Sequence, residues 1–167
     1  MKLGISTLGF RELTNVQFAK ELSAAGIKTI QLFLAQSDSR FWKYNDRSDL
    51  STLAPERCRE IADTYRRAGI EIHSIGVYTN LIHPDESERR ANLAYFQAML
   101  EVGDHMGVRT FITEAGHFVH PTEPEPRIPL HFQEPVWPQM VATAHELAAM
   151  AAKFSAKILM EPFYRGF

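Results

Sequence analysis

Two acidic residues stand where an apolar run stops. Glu161 closes Ile158-Leu159-Met160, and Glu114 closes Phe111-Ile112-Thr113. A carboxylate is costly to bury in an apolar core, so an acid in this place belongs at a rim, facing a cation, a substrate or a basic partner. Glu161 therefore reads either as a site carboxylate or as a structural one held by an arginine such as Arg165. If the two runs are neighbouring strands, their acids could share one polar site. His117, in Glu114-Ala115-Gly116-His117, could relay protons or bind substrate there. A hydrogen-bonding role in the scaffold is equally open for Glu114.

A third group lies in Gly76-Val77-Tyr78-Thr79-Asn80-Leu81-Ile82-His83-Pro84-Asp85. Tyr78, Asn80 and His83 are side chains that bind hydroxyls and suit a polyol or sugar. His-Pro-Asp is also a good lead into a helix, with Asp85 favourable at its start. Phe41, Trp42 and Tyr44 could wall a sugar face or pack an interface, and either use expels water. His73 falls within a strand-like run and reads as a core histidine. His105 and His145 read as external, and His120 and His131 as loop residues. The chain has no dinucleotide-binding or phosphate-loop glycine signature, no nucleophile elbow and no paired-cysteine zinc pattern.

The elements that must position these residues repeat four times. Ala25-Gly26-Ile27 to Leu32, Ala68-Gly69-Ile70 to Ile75, Met106-Gly107-Val108 to Glu114 and Phe154-Ser155-Ala156 to Glu161 each run from the end of an amphipathic stretch into a strand. The pattern predicts a helix with a glycine-type cap followed by a buried parallel strand. With Met1 to Thr7 as the first strand, the order is β-α-β-α-β-α-β-α-β. The expected fold class is α/β: a partial (β/α)₈ TIM barrel with about five parallel strands and four helices, cut after the fifth strand. The predicted helix stripes are Val16, Ala19 and Leu22; Cys58, Ile61, Ala62 and Tyr65 after Pro55; Leu93, Phe96 and Leu100; and Met140, Ala144, Leu147, Ala148 and Ala151. Right-handed crossovers would put all four helices outside a curving sheet.

The connections into strands are tight, and those leaving them are long: about Leu34 to Leu53, Val77 to Glu86 and Ala115 to Trp137. In a barrel these gather at the end where sites are built. Six of the nine prolines fall from Pro121 to Pro138, in and just after the last of these loops, and with Ile128, Leu130, Phe132 and Trp137 it reads as a lid or interface arm in preference to a linker.

With 167 residues the chain is read as a single domain, 1–167, and its 45% hydrophobic content suffices for a core. A whole barrel of this kind takes roughly 250 residues. The net charge of −2 and the lack of a basic run give no support to nucleic-acid binding, and no segment is apolar for long enough to span a membrane. Cys58 is the sole cysteine, so no internal disulfide forms. It lies on an apolar helix stripe, which disfavours a nucleophilic role. With no leader-like N-terminus, a cytoplasmic location is expected.

Taken together, Ile75-Gly76-Val77-Tyr78, Asn80 to Asp85, Thr113-Glu114-Ala115-Gly116 and Met160-Glu161-Pro162 resemble the xylose-isomerase-like barrel superfamily, in its sugar phosphate isomerase/epimerase branch. The resemblance covers the whole chain and corresponds to the N-terminal portion of that fold, through the fifth strand. It implies that Glu161 is a ligand of a divalent metal (manganese, magnesium or cobalt) in the complete protein and takes part in proton transfer. The implied reaction is aldose–ketose isomerisation or epimerisation through an enediolate. Tyr78, Asn80, His83, Glu114 and His117 are the expected substrate-binding residues. Glu161-Pro162-Phe163-Tyr164-Arg165 is similar to a ketose 3-epimerase motif, except that Tyr164 stands where asparagine usually precedes the arginine. The family's other metal ligands come from strands six to eight, so this chain alone is expected to be inactive and to lack a tight metal site. Two other readings stand beside this one. One is a non-catalytic half-barrel that binds a ligand or associates with further copies through its open edges; the other is an endonuclease IV-like DNA repair barrel, which the weak basic signal disfavours.

Overall fold

The computed structural model describes residues 3–118 and 136–161. Five strands, β1 (Gly4–Ser6), β2 (Thr29–Leu32), β3 (Glu71–Gly76), β4 (Thr110–Thr113) and β5 (Lys157–Met160), form one sheet in chain order. Every pairing is parallel. Between them run α1 (Asn15–Ala24), α2 (Pro55–Arg67), α3 (Glu86–Met106) and α4 (Val136–Lys153). This is the partial barrel that the repeat predicts.

The repeat has one physical origin. Gly26, Gly69, Gly107 and Ser155 all adopt left-handed backbone, with φ of 74°, 71°, 73° and 50°. After each, the next amide bonds back to a carbonyl five residues earlier: Ile27 to Leu22, Ile70 to Tyr65, Val108 to Gly103 and Ala156 to Ala151, at 2.8–3.0 Å. This 6→1 closure satisfies an orphan carbonyl and turns the chain directly into the strand. Ser155 performs the same turn without glycine's conformational freedom.

Helix starts are equally explicit. Thr14 and Gln17 form a reciprocal capping box on α1, Pro55 occupies the first turn of α2, and the Asp85 carboxylate accepts from the Glu88 amide at 3.0 Å. Thr14→Ala removes the side-chain half of that box. It is expected to cost about 1 kcal/mol, read as a lower denaturant midpoint with an unchanged m-value.

The core lies between the helices and the outer sheet face. Ile30, Leu32, Ile75, Val77 and Phe111 meet Phe18, Leu22, Cys58, Ile61, Tyr65, Leu93, Phe96 and Leu100. Val16 departs from its predicted stripe and is 64% exposed, because Phe18, Ala19 and Leu22 already fill the buried face of α1. In α4 the buried residues are Val136, Thr143, Leu147 and Ala151, while Ala144 and Ala148 are exposed. These alanines border an apolar groove beside β5, where no described element packs. His73 is likewise exposed. It lines the concave side of the sheet with Gly4, Thr29, Gln31 and Ile112, so it is not the core histidine that the strand suggested.

Long loops are fastened by buried polar groups. Asn15 is 1% exposed and takes the Tyr65 hydroxyl at 2.9 Å while donating to Asp38 at 2.8 Å, tying α1 and α2 to the loop after β2. Arg89, 5% exposed, bonds Glu86 on its own helix and Thr143 and Glu146 on α4. Thr143 also donates to the Leu81 carbonyl, and Gln139 donates to that of His83. The loop after β3 is thereby held from both sides.

Candidate functional site

Strand register puts three candidate side chains in one row. Gly76 pairs with Ile112, and Ile112 with Leu159. Two residues further on, on the same face by the period of a strand, come Tyr78, Glu114 and Glu161. The ladder persists to this level, since the Glu161 amide donates to the Thr113 carbonyl at 2.8 Å. The Tyr78 hydroxyl crosses the row and donates to Glu161 Oε2 at 2.6 Å. Glu114 Oε2 accepts from the Tyr44 hydroxyl at 3.0 Å, a residue seventy positions earlier in the chain.

The tyrosines belong to one aromatic cluster. Tyr78 stacks on Phe33 with centroids 5.5 Å apart and planes 17° from parallel. Trp42 meets the same Phe33 edge-on at 5.4 Å, and Tyr44 tilts against both Trp42 and Tyr78. The Arg11 guanidinium covers Trp42 at 5.1 Å, a cation–π contact. Phe33 is fixed by Thr7, whose hydroxyl bridges the Phe33 amide and carbonyl at 2.8 and 3.0 Å. Burial raises the pKa of Tyr78, and the Glu161 carboxylate reinforces this. Tyr44 is raised by burial and then by Glu114. Both phenols therefore stay protonated and act as donors toward carboxylates.

The other candidates form a second group. Asn80, His83 and His117 line a polar cleft of ≈ 410 Å³ with Asn45, Arg47 and Asn92. Asn80 is 7% exposed and both ends of its amide are engaged: Nδ2 donates to the His117 carbonyl at 2.8 Å, and Oδ1 accepts from the His117 amide at 3.0 Å. Asn92 holds the Asn80 carbonyl at 2.7 Å and itself accepts from Arg47 at 2.6 Å. His83 Nδ1 accepts from the Asp85 amide at 3.1 Å, so this ring nitrogen shapes the entry to α3. His120, His131 and Arg165 lie outside the described residues. Cys58 is buried, which pushes its thiol up and away from nucleophilic use.

Sequence reasoning placed the strand-end acids but not their partners. In the sequence Tyr44 stands out only as one of the aromatic group with Phe41 and Trp42, suited to a sugar face or to an interface. Phe33 and Gln31, which lies 3.4 Å from the Tyr78 hydroxyl, were not singled out. The period-two spacing of Gln31 and Phe33 along β2 and beyond was the available signal. Nothing in the sequence ties Arg47 to Asn92.

These features sit on a fold that can be compared with known proteins. A sequence profile of the xylose isomerase-like TIM barrel family matches residues 19–167. The chain belongs to this family. No curated protein sequence matches it significantly. Among solved structures, this xylose isomerase-like chain is similar to D-psicose 3-epimerase from Clostridium cellulolyticum H10, with a TM-score of 0.72 and 16% identity over 99% of this chain and 53% of that one. It is also similar to a putative xylose isomerase from Rhodospirillum rubrum ATCC 11170, at TM-score 0.73 and 16% identity over 97% and 54%. The 3-keto-D-glucoside 4-epimerase from E. coli superposes at TM-score 0.70 and 16% identity over 99% and 57%. The chain thus spans about half the length of these structures, and at such identity the likeness is one of fold. No helix among the described residues is long and apolar enough to cross a membrane.

Proposed function

We propose that this chain is the front part of a sugar or sugar phosphate isomerase/epimerase that moves a proton next to a carbonyl through an enediolate, and that the chain by itself is inactive. The observation that carries this reading is the row at the strand ends, where the Glu114 and Glu161 carboxylates lie on adjacent strands, each bonded to a tyrosine hydroxyl beside an aromatic cluster. A sugar presents an apolar C–H face and a polar rim, and such a site offers both a ring surface and hydrogen-bond acceptors. Family membership supports the reaction class, and the epimerases among the similar structures support a carbohydrate substrate.

Glu161 is the residue assigned to the proton. Its carboxylate would take a proton from the carbon beside the carbonyl, the C–H electron pair would form the enediolate, and a proton returned to carbon would complete the change. Glu114, Tyr44 and Trp42 would border the substrate and exclude water.

A divalent metal (manganese, magnesium or cobalt) belongs to this reading for the complete barrel, with Glu161 as one ligand. Among the described residues, however, no group of three or more histidine, cysteine, aspartate or glutamate side chains is placed to hold a metal. Hard cations need several oxygen or nitrogen ligands. The described residues do not by themselves fit such a site, so no step is assigned to the ion. A cytoplasmic setting and self-association are part of the same proposal.

The half-barrel alternative has its own observation. On β5, Leu159 is 48% and Met160 37% exposed, an apolar edge suited to association.

The test uses a protein carrying this chain with the rest of a barrel, loaded with Mn²⁺ and offered a panel of ketoses and inososes in D₂O. Incorporation of deuterium beside the carbonyl of at least one sugar is expected. No exchange with any member, in protein of confirmed metal content, would remove the isomerase reading and leave the binding half-barrel.

A further inference from the structure

We infer that Tyr78 is a positioning residue for Glu161, holding one carboxylate oxygen so that the other is presented to the reacting atoms. The inference rests on the proposed role of Glu161, and it adds a residue that acts through that glutamate.

Glu161 is itself exposed and stands at the very end of β5, where a free glutamate would sample several rotamers. A 2.6 Å hydrogen bond from a phenol to a carboxylate is a short, charge-assisted contact and fixes the acid's orientation at modest cost. With Oε2 committed to Tyr78, Oε1 is the oxygen left for chemistry.

The phenol can do this because its ring is itself held. Tyr78 lies two residues past β3 and stacks on Phe33, which is 4% exposed and meets Trp42 on another side. Phe33 in turn occupies the space left by a missing side chain. A Cβ at Gly76 would stand 2.6 Å from Phe33 Cε1 and Cζ, closer than real contacts allow. Gly76, Phe33, Tyr78 and Glu161 thus form a mechanical series from the third strand to the fifth. Hydroxyl chemistry enters only at its last link.

Two variants separate that link from the stack. Tyr78→Phe keeps the ring and removes the hydroxyl. Gly76→Ala keeps the hydroxyl and displaces the ring beneath it. The measurement is ¹³C NMR of the chain labelled at the glutamate carboxylate carbon, with the Glu161 and Glu114 signals identified by their loss in Glu161→Gln and Glu114→Gln. In the native chain the Glu161 signal should stand apart from those of solvated glutamates. Both variants should move it to the solvated position, Tyr78→Phe doing so with the Glu114 signal little changed and the melting temperature near that of the native chain. An unmoved Glu161 signal in Tyr78→Phe overturns the inference.

Mn²⁺ alone, added to the native chain, tests the reading beneath it, because paramagnetic broadening registers even weak binding. Selective broadening of the Glu161 signal, reduced in Tyr78→Phe, supports a carboxylate positioned for a cation. Equal broadening in both proteins overturns the positioning role while leaving Glu161 as a ligand. No broadening in the native chain, with the shift change present, counts against the metal assignment and not against the tyrosine contact.

Discussion

Glu161→Gln, in a protein that carries this chain within a complete barrel, is expected to lower turnover by roughly a hundred- to ten-thousandfold, the range that a positioned acid/base contributes. The substitution keeps size and shape. It removes the negative charge and the basic oxygen pair, so a proton can no longer be taken from carbon. Stability should hardly respond, because the residue is exposed and the Tyr78 hydroxyl can still donate to the amide oxygen of glutamine. The charge-assisted bond, worth about 1.5–3 kcal/mol, becomes a neutral one worth about 0.5–1.5 kcal/mol, so a loss of about 1 kcal/mol is expected, a shift of a few degrees in melting temperature for a chain of this size. Metal content should fall along with turnover. Glu114→Gln should do less, since its partner Tyr44 sits on an exposed loop position. Near-normal turnover and metal content in Glu161→Gln, with a clearly lower melting temperature, would assign the residue to structure and withdraw the central support for the proposed function.

What could be read in the sequence was what is local. A left-handed cap after each helix is encoded within three residues, so Gly26, Gly69, Gly107 and even Ser155 announced their turns, and the parallel order followed. The acids were legible for the same reason: a polar residue that ends an apolar run of known period can only stand at a rim. Val16 was misplaced because an apolar residue at helical spacing carries no mark saying whether Phe18 has already taken the buried position. His73 was misplaced because alternation along a strand tells two faces apart but not which one another element covers. The partners of the site acids were not legible at all. Tyr44 reaches Glu114, and Arg47 reaches Asn92, through loop paths that no propensity records. Asn80 shows the sharpest form of this limit. Its residue type fits a sugar hydroxyl and a backbone amide equally well, and only the path of the next loop decides which it meets.

That decision makes Asn80→Ala the second large expected effect. The asparagine grips the His117 backbone at two points, at 2.8 and 3.0 Å, while Asn92 holds the Asn80 carbonyl and the Leu81 amide bonds the Ala115 carbonyl at 3.1 Å. Together these contacts stitch the loop after β3 to the loop after β4, just beyond Glu114. Removing the amide leaves two backbone groups of His117 to find other partners, for a loss of about 2–4 kcal/mol, or roughly 5–15 °C in melting temperature. Asn80→Asp should fall between, because it keeps an acceptor for the His117 amide but sets a carboxylate against the His117 carbonyl. The reciprocal substitution reaches the same joint from the other side. Gly116 has φ of 101°, outside the range side chains favour, and a Cβ there would collide with Asn80 Oδ1 and lie 2.8 Å from Asn80 Cα. Gly116→Ala should therefore destabilise to a similar degree, and combining it with Asn80→Ala should cost somewhat less than the sum, since the clash with Oδ1 disappears with the side chain while the close approach to the Cα of residue 80 and the unfavourable φ remain. Thermal melts of the three single variants and the double variant settle the assignment. If Asn80→Ala melts with the native protein, the amide is not a scaffold element, and Asn80 returns to the substrate as a hydroxyl-binding residue.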